Sequence, residues 1–435
     1  MIVKRLPYVP PETALMAFAE MSDLVFLDSA ASADPRSKVS YLCLPALDTL
    51  RLAGDPFTML RNWMAKFGPL APPVDWPFPF AGGAVGWIGY DLAREAAGVR
   101  SRFAPMKGLP GGWFGLYTTI LGFDLDSKEL FYLGSADALP DISAQLSAAL
   151  PLAPAPRLVW APEIGFESYQ ERHERLRAYI EAGDIYQANL TLRFTAPCPA
   201  GFSLAALYAR LRRLSPAPFA AYLQTGAFGL ACASPERFLR LKPDGAVETR
   251  PIKGTAARRA TAQADRDAAA ALQANPKERA ENLMITDLLR NDLGQVCKIG
   301  SVRVPELWSV ESYAQAHHLV SAVTGQLREG LDAFDLLAAT LPGGSITGAP
   351  KRRAMQIIDE LEEGPRGAYC GALAWIGFDG AMDSAIIIRT ITKAADRLYA
   401  QSGGGITWDS IAKQEYDEAM VKISPLLGVG EVSVS

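Results

Sequence analysis

Strand-like and helix-like segments are intermixed along this chain without a βαβ rhythm, and that irregular order is what most restricts its fold. A doubly wound parallel sheet needs a crossover helix after nearly every strand, so the pattern favours an α+β fold. LVFLD (24–28), LYTTILGFDL (116–125) and LFYLG (130–134) read as strands. FAGGAVGWIGYDLAREAAG (80–98) mixes glycine turns with apolar residues and ends in a helical pattern. SYQERHERLRAYIEAGDIYQANL (168–190) predicts an amphipathic helix stopped near Gly183, then a strand. SLAALYARLRRL (203–214), KERAENLMITDLLRNDLG (277–294), FDLLAATL, KRRAMQIIDELEE and EYDEAMVKISPLL predict helices. The stretch 220–242, GAYCGALAWIGFD and SAIIIRTITK predict strands. PLAPAPR (151–157) reads as an exposed connector, because alternating prolines disfavour both helix and central strand.

Bulk properties exclude several classes. The 435 residues suffice for a deep core. Net charge is −4 with no basic run, which argues against a nucleic-acid partner. No apolar segment approaches the roughly 20 residues that span a bilayer, and the N-terminus does not read as a signal peptide. Five scattered cysteines without a CxxC pair fit a reducing compartment, so a cytoplasmic location is expected. Three histidines are too few and too poorly spaced for a zinc site.

Two glutamate pairs stand out. Glu278 and Glu281 lie three apart on one predicted helix, and Glu415 and Glu418 three apart on another. That spacing puts both carboxylates on one helical face, where they repel unless a cation or proton intervenes. Carboxylate oxygens are natural ligands of Mg²⁺. Either pair alone also suits an ordinary solvated surface. RPIKGT (250–255) sets Lys253 before a glycine, and LPGGSITGAPKRRAM (341–355) joins glycines, hydroxyls and a helix start. Exposed N–H groups there suit a carboxylate, although the Walker A spacing is absent. SGGGIT (402–407) precedes the second glutamate pair, and Arg389 ends an apolar strand. Acidic metal ligands with the cations Lys253, Arg389 and Lys422 would suit a dianionic small molecule.

IYQANL, SPERF, RPIKGT, KERAENLMITDLLRNDLG, HHLVS, PGGSITGAPK, IIIRT and SGGGI followed by EYDEAMVK occur in the order found in chorismate-utilising enzymes. The chain resembles that family strongly over about residues 165–427 and more weakly upstream, through FAGGAVGWIGYDL. The family includes anthranilate, aminodeoxychorismate, isochorismate and salicylate synthases. The resemblance implies large antiparallel sheets packed as a sandwich with helices outside. It divides the chain into residues 1–155, which add to the shared sandwich and carry a candidate amino-acid pocket, and a chorismate-binding catalytic domain, 156–435. In some relatives that pocket binds tryptophan; here LDSAAS (27–32) replaces the usual LxES-type motif.

The resemblance also implies roles. Glu281 and Glu418 match direct Mg²⁺ ligands, and Glu278 and Glu415 match water-mediated partners. The metal would hold the ring carboxylate, with His318 nearby. Arg389 and Lys422 would hold the enolpyruvyl carboxylate, helped by amides near Gly404. Thr255 and Ser345 match polar contacts, Glu236 matches the general acid, and His317 is expected to be structural. Gln187 stands where water-adding members carry a lysine base; an amide is no base, so water addition is disfavoured. PIKGT, rather than the PIAGT of anthranilate synthases, points to amination at the ring hydroxyl, with Lys253 as nucleophile or electrostatic partner. No cysteine has the GxCxG context of a glutaminase, so ammonia is expected from a separate glutamine amidotransferase subunit. Pyruvate elimination is expected from a separate lyase. An anthranilate synthase large subunit and a non-catalytic chorismate- or tryptophan-binding protein are the alternatives.

Overall fold

In the computed structural model, which describes residues 1–31, 34, 36–150, 155, 157–312, 316–428 and 431–432, the described residues form a 13-stranded and a 10-stranded sheet with helices around them. Most pairings are antiparallel, as an α+β chain without βαβ units requires. Both sheets draw strands from both sides of residue 155. In the larger one Leu24–Asp28 pairs with Phe219–Gln224, and in the smaller one Gly83–Ile88 pairs with Ala372–Gly377. The proline-rich connector falls mostly outside the described residues.

The predicted helices form, and their ends have local causes. Phe166–Glu181 stops before Gly183, whose φ of +79° suits glycine. Leu204–Leu214 is capped by Ser203, whose side chain accepts from Ala206 N. Pro276–Gly294 begins with proline at its first position, and Asn275 accepts from Lys277 N and Glu278 N. Three apolar clusters fill the interior, one of them containing Trp87, Trp113 and Phe228 between the sheets.

Two predicted strands are each two strands in different sheets. LYTTILGFDL spans the end of Gly112–Tyr117, in the smaller sheet, and all of Ile120–Asp124, in the larger. SAIIIRTITK divides into Met382–Ile386 and Thr390–Ala394, again one in each sheet. Arg389 is therefore not at the end of a continuous strand but in the passage between sheets. Continuous apolar character marks burial on both sides of such a bend and does not reveal the bend.

Candidate active site

Two strand pairs pass from one sheet to the other side by side. Phe228–Ser234 pairs with Thr390–Ala394 in the larger sheet, and Arg237–Leu241 pairs with Met382–Ile386 in the smaller. The passages are stitched together by Ala233 N donating to Arg389 O (3.0 Å) and Ile386 N donating to Glu236 O (3.2 Å). Glu236 and Arg389 thus occupy the two adjacent crossing points. Arg389 has φ +50°, a left-handed conformation that costs a non-glycine residue roughly 1 kcal/mol or more. Its guanidinium has no hydrogen bond or salt bridge among the described residues, and burial pushes its pKa down. A largely buried cation with no counter-ion among the described residues is suited to an anionic ligand.

Glu236 is buried, and burial raises its carboxyl pKa to about 7. Lys253, the Ser345 side chain, the Ile252 N–H and Arg36 act against that rise. Lys253 Nζ also lies 3.4 Å from Ser345 O, to which it donates. Ser345 sits in a short 3-10 turn, Gly344–Ile346, that is tied down from behind. Arg366, almost fully buried, donates to Ile346 O (2.9 Å) and Asn189 O (2.8 Å) and pairs with Glu362 (2.7 Å). Thr191 donates to the same Glu362 carboxylate, so this network locks the serine turn to the Gln187–Pro197 strand.

Thr255 and His318 face each other on paired strands, with Oγ1 and Nδ1 3.0 Å apart. Burial first, then the charges of Arg389 and Arg36, lower the His318 pKa to about 4. The ring is neutral near pH 7 and suits hydrogen bonding rather than charge pairing. His317 is buried and has both ring nitrogens engaged, by Ser312 and Asp265.

The glutamate pairs come together from the Pro276–Gly294 and Ala412–Leu427 helices. Glu278 and Glu281 both have raised pKa values, chiefly through burial, and negative charge from the opposite helix (Glu418 and Glu415 respectively) adds to the rise. For Glu418 burial acts upward, but Lys422, Lys277 and Lys253 together hold it below the usual range. The charge of Lys253 therefore acts both on Glu236 and on three of the glutamates. Gly254, at φ +84°, brings the backbone against Glu278, whose Oε2 would be 2.8 Å from a Cβ there.

Lys422 pairs with Glu418 (2.7 Å) and donates to Gly403 O (3.3 Å). Beside it, a Cβ at Gly404 would stand 3.1 Å from Glu415 Oε2, so the glycine strand runs directly along the acidic cluster. Gln187 is buried, and a Cβ at Gly405 would collide with its Nε2; among the described residues its Oε1 has no hydrogen-bond partner. Among the described residues no three His, Cys, Asp or Glu side chains are gathered tightly enough to enclose an ion. The carboxylates instead meet Ser410, Lys277 and Lys422. Carboxylates whose like charges oppose one another offer the hard oxygen chemistry that suits a magnesium ion.

Lys277, Arg36 and the Arg366–Glu362 pair are the site residues that sequence reasoning missed. Lys277 lies within a quoted motif, but its exposure signal is that of any surface lysine. A separate cavity of about 640 Å³ is lined by Asp28, Ser29, Lys38, Tyr41 and Arg237, with Arg36 on its wall. It includes the start of LDSAAS, in the region expected to carry an amino-acid pocket, and lies apart from the glutamates.

The chain belongs to the chorismate binding enzyme family, whose model matches residues 43–428. It is 40% identical to aminodeoxychorismate synthase component 1 of Salmonella typhimurium over 93% of this chain and 88% of that protein. Against the same component of Klebsiella aerogenes it is 42% identical, over 86% and 83% of the two chains. It is also 37% identical to anthranilate synthase component 1 of Thermus thermophilus, over 97% and 96%. The crystal structure of anthranilate synthase component I from Streptococcus pneumoniae superposes with a TM-score of 0.77 at 30% identity, covering 90% of this chain and 92% of that one. The sandwich expected from the motifs is thus the observed fold. Among the described residues no helix is long and apolar enough to cross a membrane.

Proposed function

We propose that this chain replaces the 4-hydroxyl of chorismate with an amino group, giving 4-amino-4-deoxychorismate. The observation that carries this reading is a buried carboxyl poised near neutrality, Glu236, beside the amine of Lys253. The two aminodeoxychorismate synthase components described above, at 40% and 42% identity, support the same choice over anthranilate formation. Glu281 and Glu418 would hold Mg²⁺, with Glu278 and Glu415 acting through water. Bound there, the ion would draw electron density from the ring carboxylate and make C2 electrophilic.

The chain's own groups do the rest. Arg389 and Lys422 hold the enolpyruvyl carboxylate, and neutral His318 with Thr255 lies toward the ring acid. The Lys253 amine forms a bond to C2 as the C4–O bond breaks, and Glu236 gives its proton to the departing hydroxyl, which leaves as water. Ammonia then bonds to C4 as the C2–N bond to Lys253 breaks, and one proton returns to Glu236. Gln187 has no basic lone pair with which to activate water at C2.

Chorismate, ammonia and Mg²⁺ with the purified chain are expected to yield a product that becomes 4-aminobenzoate only when an aminodeoxychorismate lyase is added. Glutamine should replace ammonia only with a partner amidotransferase. Anthranilate fluorescence without added lyase would overturn this reading. For the covalent step, mass spectrometry of enzyme held with chorismate and Mg²⁺ but no ammonia should find an adduct of chorismate less water on Lys253. Lys253→Ala should lose the adduct and about 100-fold or more in kcat. Near-normal turnover in that variant, with no adduct on the wild type, would exclude the covalent route.

A further inference from the structure

The chemistry above leaves Lys277 without a role, yet its ammonium sits among the glutamates. Nζ is 3.4 Å from Glu415 Oε1 and 3.9 Å from Glu281 Oε1, so it joins two helices far apart in sequence. Its positive charge also reaches Glu278 and Glu418. Asn275 caps the turn that carries it and fixes where its stem begins. The side chain is 45% exposed, which leaves it room to swing outward. An ammonium is a compact point charge on a flexible stem, so it can lend charge to several carboxylates in turn.

We propose that Lys277 is a built-in counter-ion of the glutamate cluster, which holds the two helices together and must be displaced when a divalent cation binds. This rests on the magnesium reading of the same carboxylates. Glu281 and Glu415 offer oxygens that a metal and Lys277 both use, directly or through water. The lysine thereby weakens metal binding while preventing four close negative charges from driving the helices apart. Its charge makes the cluster exchange one cation for another, so the carboxylates are not left unbalanced when no metal is bound.

The test compares the full chain with Lys277→Met, the second neutral variant Lys277→Gln, and the charge-keeping Lys277→Arg. MgCl₂ binding is measured by calorimetry, and melting is measured in EDTA and in MgCl₂. The neutral variants should bind Mg²⁺ about tenfold more tightly, melt below wild type in EDTA, and gain more on adding Mg²⁺. Lys277→Arg should stay near wild type in each respect. Neutral variants with affinity within about twofold of wild type, or weaker, overturn the proposal alone. A wild-type chain that binds no Mg²⁺ overturns the magnesium reading as well, so the two failures are distinct.

Discussion

Glu236→Gln should lower kcat by about two to four orders of magnitude while leaving the KM for chorismate within a small factor. The substitution keeps the shape and the hydrogen-bonding reach of the side chain in its buried place between the sheets. It removes only the proton that the leaving hydroxyl needs. The same residue sets a pH limb. An acid whose pKa is pushed up to about 7 by burial is protonated below that value and ionised above it. In the wild type, kcat/KM should therefore fall as pH rises through about 7, and in Glu236→Gln that limb should vanish. Steady-state rates from pH 5.5 to 9 (about that range covers both forms) check both outcomes. A variant that retains the wild-type rate would remove Glu236 from the proton transfer.

The second large effect separates activity from stability. Arg389 combines a left-handed backbone with a mostly buried guanidinium that no described carboxylate balances. Arg389→Met should cut kcat/KM by about 100-fold or more, because the substrate carboxylate loses a charged partner in a low-dielectric setting. The same change should leave the free protein no less stable, and more stable by about 1–2 kcal/mol, since it deletes an unbalanced buried charge. Thermal melting without substrate and kinetics at varied chorismate would reveal the two shifts together. A melting point several degrees below that of the wild type would mean that the guanidinium serves the fold rather than the ligand.

Period and chemistry made much of this site legible in the sequence, but only where local rules govern. Helices with a cap residue at one end and glycine at the other, such as Pro276–Gly294 behind Asn275, could be bounded from residues alone. The i, i+3 glutamates had to share a face, whatever the tertiary structure. Their meeting across two helices, and Lys253 between them and Glu236, came from the motif order rather than from spacing. The bend at Arg389 was invisible, because an arginine in the left-handed region leaves no compositional mark where a glycine would have. Nothing local distinguishes Lys277 from a surface lysine; it becomes a site residue only through Glu415, 138 positions away. Arg366 and Glu362, four residues apart, carry no mark in the sequence of the serine turn that rests on them.

Because the early and late parts of the polypeptide interleave as neighbours in each sheet, the catalytic portion is not a detachable unit. Removing the first 155 residues would strip the Leu24–Asp28 partner from Phe219–Gln224 and the Gly83–Ile88 partner from Ala372–Gly377. Two rows of backbone donors and acceptors, now satisfied internally, would become open seams for foreign strands. A fusion or split that preserves this chemistry therefore has to keep both parts of the polypeptide together.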